Sequence, residues 1–115
     1  MRFLLADDQA EVRSALRLLL EQEPGMDVVG EAAGVQELLA LVAQPDLVLL
    51  DWELPGPPAI ALLPALRSRY PHVRVIALSG RPEARQEALE AGIDAFVSKG
   101  DPPEHLLTVL YTLGT

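Results

Sequence analysis

Five polar side chains follow short apolar runs of the sequence, and their types suit phosphoryl transfer. They are Asp7, Asp8, Asp51, Ser79 and Lys99. Carboxylate oxygens are the ligands that a hard cation such as Mg²⁺ prefers, while an ammonium group and a hydroxyl stabilise phosphoryl oxygens. The chain has no GxxxxGK loop for a nucleotide phosphate. The natural nucleophile is therefore a carboxylate that becomes an aspartyl phosphate, and Asp51 is best placed for this role.

Asp51 ends a continuous apolar run, Leu47–Leu50, and a loop-forming sequence, Pro55–Pro58, follows it closely. A run this short, with no alternation of polar residues, suits a strand that is buried on both faces. A carboxylate at the end of such a strand is costly unless a partner compensates its charge. The alternative for Asp51 alone is an ordinary loop acid before a proline turn.

Apolar patterns typical of a strand and of a helix alternate five times along the chain. The predicted strands are 3–6, 28–30, 46–50, 73–78 and 95–97. The predicted helices are 9–22, 35–43, 58–69, one from Pro82 to Gly92 and one from Pro102 onward. This order predicts a parallel sheet covered on both faces. Right-handed crossovers favour an α/β fold of the flavodoxin-like, doubly wound (βα)5 type, with strand order 2-1-3-4-5 and one domain over 1–115.

The spacing of apolar residues predicts which helix faces are buried. The first helix should bury Val12, Ala15, Leu16, Leu19 and Leu20. The second should bury Val35, Leu38, Leu39 and Val42, and the fifth Leu106, Leu107, Leu110 and Leu113. Pro64 should bend or shorten the third helix because it removes one backbone hydrogen bond.

In this layout the five polar side chains lie on one rim of the sheet, where the parallel strands end and where ligands bind. Two carboxylates ~4 Å apart repel by about 4 kcal/mol at an effective dielectric constant near 20, so the rim needs a cation. Lys99 is the single lysine among nine basic residues, and an ammonium group is not interchangeable with a guanidinium. Taken singly, the acid pair could begin a helix, Ser79 could cap one and Lys99 could be a solvated residue.

The composition narrows the possible functions. A net charge of −8 over 115 residues makes this chain a poor candidate to bind nucleic acid directly. The lack of cysteine excludes disulfides and thiolate metal ligands. No apolar run approaches the ~20 residues that span a bilayer, and two early acids argue against a signal peptide. We therefore expect no membrane association and a cytoplasmic location.

Over nearly its full length the chain resembles the receiver domain of two-component response regulators, the CheY-like superfamily. The resemblance is carried by Asp7-Asp8, Asp51 with Pro55-Gly56 after it, Ser79 and Lys99, in this order. The segment AFVSKGDPPEHLL at 95–107 is most similar to the NarL/FixJ subfamily. The resemblance implies a regulator rather than an enzyme, although one that assists its own phosphorylation and dephosphorylation.

The resemblance also implies a role for each rim residue. Asp51 would accept a phosphoryl group from a sensor histidine kinase. Asp8, Asp51 and the main-chain carbonyl of Glu53 would ligate Mg²⁺, and Asp7 would support this shell mainly through water. Lys99 would pair with Asp51 and then with the phosphoryl oxygens.

Ser79 and Phe96 occupy the switch positions of the family. The resemblance implies that Ser79 moves toward the phosphoryl group and that Phe96 then turns inward. The face formed by helix 4, strand 5 and helix 5 would change and control an output such as transcription, with a homodimer as a possible result. Many members have Lys-Pro with a cis peptide bond here, but Gly100 follows Lys99 in this chain, so a cis bond is not to be assumed.

Three further residues flank the rim. Glu53 and Arg81 lie two residues beyond Asp51 and Ser79, and we hypothesise that they pair and tune the lifetime of the phosphoaspartate. The alternative is an exposed pair of little consequence. Trp52 should be a half-buried aromatic residue whose fluorescence responds to Mg²⁺ or beryllofluoride.

Two other functions stay open from the sequence. The first is a small phosphatase resembling the haloacid dehalogenase group, which also uses a strand-end aspartate, Mg²⁺ and a lysine. Glu53 matches the position of its second acid, but in that group the acid pair comes late in the chain. The second is an interaction module that is never phosphorylated.

Overall fold

The computed structural model describes residues 1–114 and shows a five-stranded parallel sheet in the order β2-β1-β3-β4-β5. The strands are β1 (Arg2–Ala6), β2 (Asp27–Ala32), β3 (Leu47–Asp51), β4 (Arg74–Ser79) and β5 (Ala95–Ser98). The helices are α1 (Ala10–Glu21), α2 (Val35–Ala40), α3 (Ala59–Arg69), α4 (Arg85–Glu90) and α5 (Pro103–Gly114), and a 3₁₀ turn (Pro82–Ala84) leads into α4. The predicted fold class and strand order are confirmed, whereas the predicted domain end at Thr115 lies outside the described residues.

Different helices cover the two faces of the sheet. Val48 and Leu50 of β3 pack with residues of α2, α3 and α4, while Leu47 and Leu49 pack with residues of α1 and α5. All four side chains are at most 1 % exposed, and burying one side chain of this size contributes about 1.5–3 kcal/mol. The central strand is therefore fixed from both sides, and Asp51 at its carboxyl end is fixed with it.

Helix α1 is less buried than its apolar spacing predicts. Leu20 is fully buried, but Val12, Leu16 and Leu19 are only half-buried and Ala15 is exposed. This side of the helix lines an open apolar groove between α1 and α5. The predicted burial of Ala15 is wrong, because spacing fixes which residues share a face but not how closely the next helix approaches.

Helix α2 ends three residues earlier than predicted. It stops at Ala40, the backbone of Leu41 is extended (φ −65°, ψ 132°), and Val42 is 96 % exposed. The predictions of a helix over 35–43 and of a buried Val42 are therefore wrong.

Side chains from the end of α3 stabilise this early stop. The Tyr70 hydroxyl donates to the carbonyls of Leu38 and Leu41, each at 3.0 Å. Arg69 donates to the carbonyls of Leu39 and Leu41 at 3.2 and 2.9 Å. Backbone carbonyls at a helix end need donors, and here a neighbouring helix supplies them, so continuing α2 would gain little.

Helix α3 runs through Pro64 without being shortened there. Proline lacks an amide hydrogen, so the carbonyl of Ile60, one turn earlier, loses its usual donor. Ile60 itself is half exposed. No helix among residues 1–114 is long and apolar enough to cross a bilayer.

The observed end of α2 predicts different responses at two nearby positions. Leu38→Ala should lower the free energy of unfolding by about 2–5 kcal/mol because it opens a cavity in the core. Val42→Ala should change it by less than about 0.5 kcal/mol, because this side chain faces solvent. Denaturant unfolding of both variants measures the difference, and equal losses would contradict the early end of the helix.

Candidate functional site

Asp51 lies at the carboxyl end of β3 and is almost completely buried, at 2 % exposed. Its Oδ1 atom accepts the backbone N–H of Glu53 at 3.0 Å, which is an Asx-type turn. The next residue, Trp52, donates its backbone N–H to the carbonyl of Leu78 at 2.8 Å. The backbone therefore fixes the orientation of the carboxylate where the chain leaves the sheet.

Asp7 lies one residue beyond β1 and is even more buried, at 1 % exposed. Its backbone N–H donates to the carbonyl of Ala32 at 3.0 Å. Its Oδ1 atom accepts the backbone N–H of Gln9 at 2.9 Å, and its Oδ2 atom accepts a hydrogen bond from Lys99 at 2.8 Å. Asp7 is thus tied to β2, to the start of α1 and to the residue after β5.

The structure brings Asp7, Asp8 and Asp51 together. One carboxylate oxygen from each lies within 4.8 Å of the others, and only Asp8 is exposed. The donors are all oxygen, which suits a hard divalent cation that keeps part of its water shell, as Mg²⁺ does. The residues present therefore fit a magnesium site.

Lys99 is the cation that faces these acids. Its Nζ atom lies 2.8 Å from Asp7 Oδ2 and 3.4 Å from Asp51 Oδ1, and its backbone N–H donates to the carbonyl of Ser79 at 2.8 Å. Burial alone would lower the pKa of Lys99, but the hydrogen bond to Asp7 and the charge of Asp51 outweigh it and raise this pKa above its ordinary value. Lys99 is therefore a permanent cation at neutral pH.

The carboxyl group of Asp51 is perturbed in the direction expected of a buried acid. Burial raises the pKa of Asp51, and the charge of Asp7 raises it further. The hydrogen bond from the Glu53 N–H and the charge of Lys99 lower it, but they do not cancel the effect of burial. An additional positive charge beside Asp51 would therefore stabilise its ionised carboxylate.

Ser79 lies at the end of β4, fully buried, and is engaged by residues outside the acid cluster. Its Oγ atom is 3.0 and 2.9 Å from the two carboxylate oxygens of Glu53 and donates its single hydrogen there. Oγ also accepts the backbone N–H of Arg81 at 3.0 Å. Arg81 Nη2 is 3.2 Å from Glu53 Oε2, so the structure contains the Glu53–Arg81 contact that the sequence predicts, with Ser79 joined to it.

Phe96 lies on β5 and is buried at 5 % exposed. It packs in the core on the side of the sheet covered by α4, and the guanidinium of Arg85 lies 5.9 Å from its ring centre. The phenyl ring occupies this inward position while Ser79 is bonded to Glu53. The expectation that Phe96 turns inward only after Ser79 moves therefore does not describe this conformation, in which the ring is inward while Ser79 contacts Glu53.

The structure also shows contacts that the sequence did not reveal. Trp52 is 5 % exposed rather than half-buried, and its indole N–H donates to Glu87 Oε1 on α4 at 3.1 Å. Arg13 on α1 donates to the backbone carbonyl of Asp7. A buried indole requires an acceptor, but its identity depends on how α4 packs. The Lys99–Gly100 bond is trans, since no peptide bond among the described residues is cis.

The structure is thus a doubly wound α/β domain with three acids, a lysine and a buried serine at the carboxyl edge of its sheet. A family model for the response regulator receiver domain matches residues 3–111. This chain therefore belongs to the response regulator receiver domain family.

Relatives with known roles agree with this assignment. DevR/DosR of Mycobacterium tuberculosis, a DNA-binding transcriptional activator, is 40 % identical over 103 residues, covering 86 % of this chain and 48 % of that protein. NarL of Escherichia coli K12, a nitrate/nitrite response regulator, is 33 % identical over 112 residues, covering 94 % of this chain and 52 % of that protein. The chain thus spans about half the length of these relatives.

A solved structure is similar over the whole chain. RcsB of Salmonella enterica serovar Typhimurium, bound to promoter rprA in the presence of the phosphomimetic BeF₃⁻, superposes with a TM-score of 0.90 at 25 % identity, covering 100 % of this chain and 99 % of that one. The predicted receiver function and the likeness to NarL-type regulators are confirmed. These comparisons do not support the phosphatase alternative.

The raised pKa of Asp51 predicts how the stability of the metal-free protein depends on pH. Its folded-state pKa lies above the unfolded value, so its charged form destabilises the fold at neutral pH. This penalty disappears as the pH falls below the unfolded-state value. Asp51→Asn should therefore raise Tm by a few degrees at pH 7, equivalent to about 1 kcal/mol, and the gain should shrink as the pH is lowered toward 4.

Unfolding of both proteins at several pH values, with divalent cations removed, measures this difference. A constant difference, or a variant that is less stable at neutral pH, would contradict the assignment of the penalty to Asp51.

Proposed function

We propose that Asp51 accepts a phosphoryl group from the phosphohistidine of a sensor histidine kinase, and that this modification controls a transcriptional output. The observation that supports the proposal is the placement of the Asp51 carboxylate. It lies within 4.8 Å of oxygens of Asp7 and Asp8 and 3.4 Å from the ammonium of Lys99, so charges of both signs converge where a phosphoryl group would arrive.

The reaction is a single displacement at phosphorus. An oxygen of the Asp51 carboxylate forms a bond to phosphorus while the bond from phosphorus to the imidazole nitrogen of the donor breaks. The electron pair stays on that nitrogen, which takes a proton, and the product is an acyl phosphate on Asp51. Lys99 neutralises charge on the phosphoryl oxygens, and the backbone turn at Glu53 holds the attacking carboxylate in place.

Asp8, Asp51 and the main-chain carbonyl of Glu53 would hold Mg²⁺, and Asp7 would support it mainly through water. When bound, Mg²⁺ would supply a further positive charge to the phosphoryl oxygens. Asp7 is already engaged by Lys99, whereas Asp8 is exposed, and this difference supports Asp8 as the direct ligand. The same residues that assist phosphorylation would assist hydrolysis of the acyl phosphate.

Ser79 and Phe96 form the switch in this proposal. The Ser79 hydroxyl would leave Glu53 and donate to the phosphoryl group. Ser79 lies on β4, which pairs with β5. On β5, Phe96 lies opposite Ala77 of β4 and contacts Arg85 of α4. A shift at Ser79 would thus reach the face formed by α4, β5 and α5.

The proposed partners follow from this role. A sensor histidine kinase supplies the phosphoryl group, and a homodimer forms on phosphorylation. The net charge of −8 supports an output that reaches DNA through another segment or partner and not through this chain. The expected setting is the cytoplasm, without membrane contact.

The test is phosphorylation by a small phosphodonor, phosphoramidate, with Mg²⁺ present and intact mass as the readout. The wild-type chain should gain one phosphoryl group, and Asp51→Asn should gain none. Asp46→Asn, at the opposite end of β3, serves as the matched control and should be modified like the wild type. A wild-type chain that stays unmodified would overturn the proposal and favour an interaction module that is never phosphorylated.

Trp52 is expected to report on the site. Its indole follows Asp51 directly and is fixed on Glu87, so a change at either residue alters its surroundings. Tryptophan emission should change on adding Mg²⁺, and again on adding beryllofluoride. Glu87→Gln keeps an acceptor and should keep the response, while Asp51→Asn should lose the response to beryllofluoride. If the emission of the wild-type chain changes on neither addition, the result counts against an assembled site.

Glu53 and Arg81 are proposed to tune the lifetime of the phosphoaspartate in opposite directions. The Glu53 carboxylate can orient a hydrolytic water, so Glu53→Ala should lengthen the lifetime several-fold. Arg81 holds that carboxylate, so Arg81→Ala should free it and shorten the lifetime. Loss of the phosphorylated mass over time measures both rates. If neither variant changes the rate of phosphoryl loss, Glu53 and Arg81 form only an exposed pair of little consequence.

A further inference from the structure

An arginine of α1 holds the backbone of the loop that carries the acid pair. Arg13 donates from Nη1 to the carbonyl of Asp7, and the same guanidinium donates from Nε to Glu31 on β2 at 3.1 Å. Arg13 thus joins a helix, an edge strand and the loop between β1 and α1. None of the roles proposed above uses this residue.

The bond to the Asp7 carbonyl acts on Asp8. The carbonyl of Asp7 and the nitrogen of Asp8 belong to one planar peptide unit, so a donor on that oxygen fixes the plane from which Asp8 projects. Asp8 is exposed, and within residues 1–114 no hydrogen bond or ion pair orients its carboxylate. The backbone is therefore what directs Asp8 toward Asp51.

Arg13 is itself held in place. Its partner Glu31 also accepts from Arg17, with Nε and Nη2 at 2.7 and 2.6 Å from Oε2. Arg17 is paired in turn with Glu21 at 3.0 Å. The side chain of Arg13 is only 19 % exposed, against 38 % for Arg17. Solvent-exposed pairs add little stability, so the guanidinium of Arg13 is held mainly by its own two hydrogen bonds, to the Asp7 carbonyl and to Glu31.

We propose that Arg13 is a positioning residue for Mg²⁺, which keeps the Asp7–Asp8 peptide in the orientation that turns Asp8 toward Asp51. This proposal rests on the magnesium site of the proposed function. The charge of Arg13 and its position predict opposite effects on Mg²⁺ affinity when this residue is removed. As a nearby cation, Arg13 repels Mg²⁺, so its loss would tighten binding if charge alone mattered. If positioning matters, its loss weakens binding.

The experiment measures the Mg²⁺ dissociation constant by calorimetry on the full chain, together with Tm in the absence of metal. Arg13→Gln should weaken Mg²⁺ binding about tenfold, as is typical when a residue that supports a metal ligand is removed. Arg17→Gln is the matched control. It removes a cation beside the same Glu31, leaves the Asp7 carbonyl engaged, and should stay within about threefold of wild type.

Arg13→Lys keeps the charge, but its donors sit on one atom and cannot reproduce the planar fork that reaches Glu31 from Nε and the Asp7 carbonyl from Nη1. It should therefore also weaken binding, and it provides the measurement if Arg13→Gln fails to fold. Unchanged or tighter Mg²⁺ binding in either folded variant overturns the proposal. If Tm falls while the Mg²⁺ affinity stays the same, Arg13 has only a structural role and the proposal is overturned as well. A wild-type chain that binds no Mg²⁺ overturns the metal site itself, and phosphoramidate labelling then tests the phosphoacceptor role separately.

Discussion

Lys99 lies between two buried carboxylates, and the carboxyl edge of the sheet depends on this three-group cluster. Asp7 and Asp51 are each at most 2 % exposed, and their contacts to Lys99 are 2.8 and 3.4 Å. Two such charges without a cation would be strongly unfavourable inside a protein. The ammonium makes their burial tolerable, and its backbone bond to Ser79 ties the ends of four strands into one unit.

The three acids at this edge of the sheet differ in their contacts and in their exposure. Asp7 uses its oxygens to hold Lys99 and the start of α1, whereas Asp51 keeps a raised pKa and a weaker contact to the same cation. Asp8 stays exposed. Because Asp7 is held by structural contacts while Asp8 is exposed, a cation can approach these acids without breaking the contacts of Asp7.

The fold and the rim could be predicted because they depend on local patterns. The apolar run Leu47–Leu50 and the four other apolar strands specify a parallel sheet, and parallel strands bring their carboxyl ends together whatever the details of packing. Asp51, Ser79 and Lys99 therefore come to the same edge from sequence order alone.

The features that escaped prediction all depend on how one element meets another. The end of α2 is determined by donors from Tyr70 and Arg69 on α3, and no pattern within α2 encodes them. The partner of Trp52 depends on the placement of α4, and the bond from Arg13 to Asp7 depends on the rotation of α1. Side chains that serve a distant backbone carbonyl carry no spacing signal, so only the assembled structure reveals them.

The hydrogen bond between Trp52 and Glu87 has a consequence for the coupling between the acid cluster and α4. It joins the residue beside Asp51 to a helix that packs on the same face of the sheet. Thermodynamic linkage is reciprocal. A protein that docks on α4 and prefers one placement of that helix would therefore also change how favourably a charged group binds at the rim. The recipient of the signal would then help to set the sensitivity with which the signal is received.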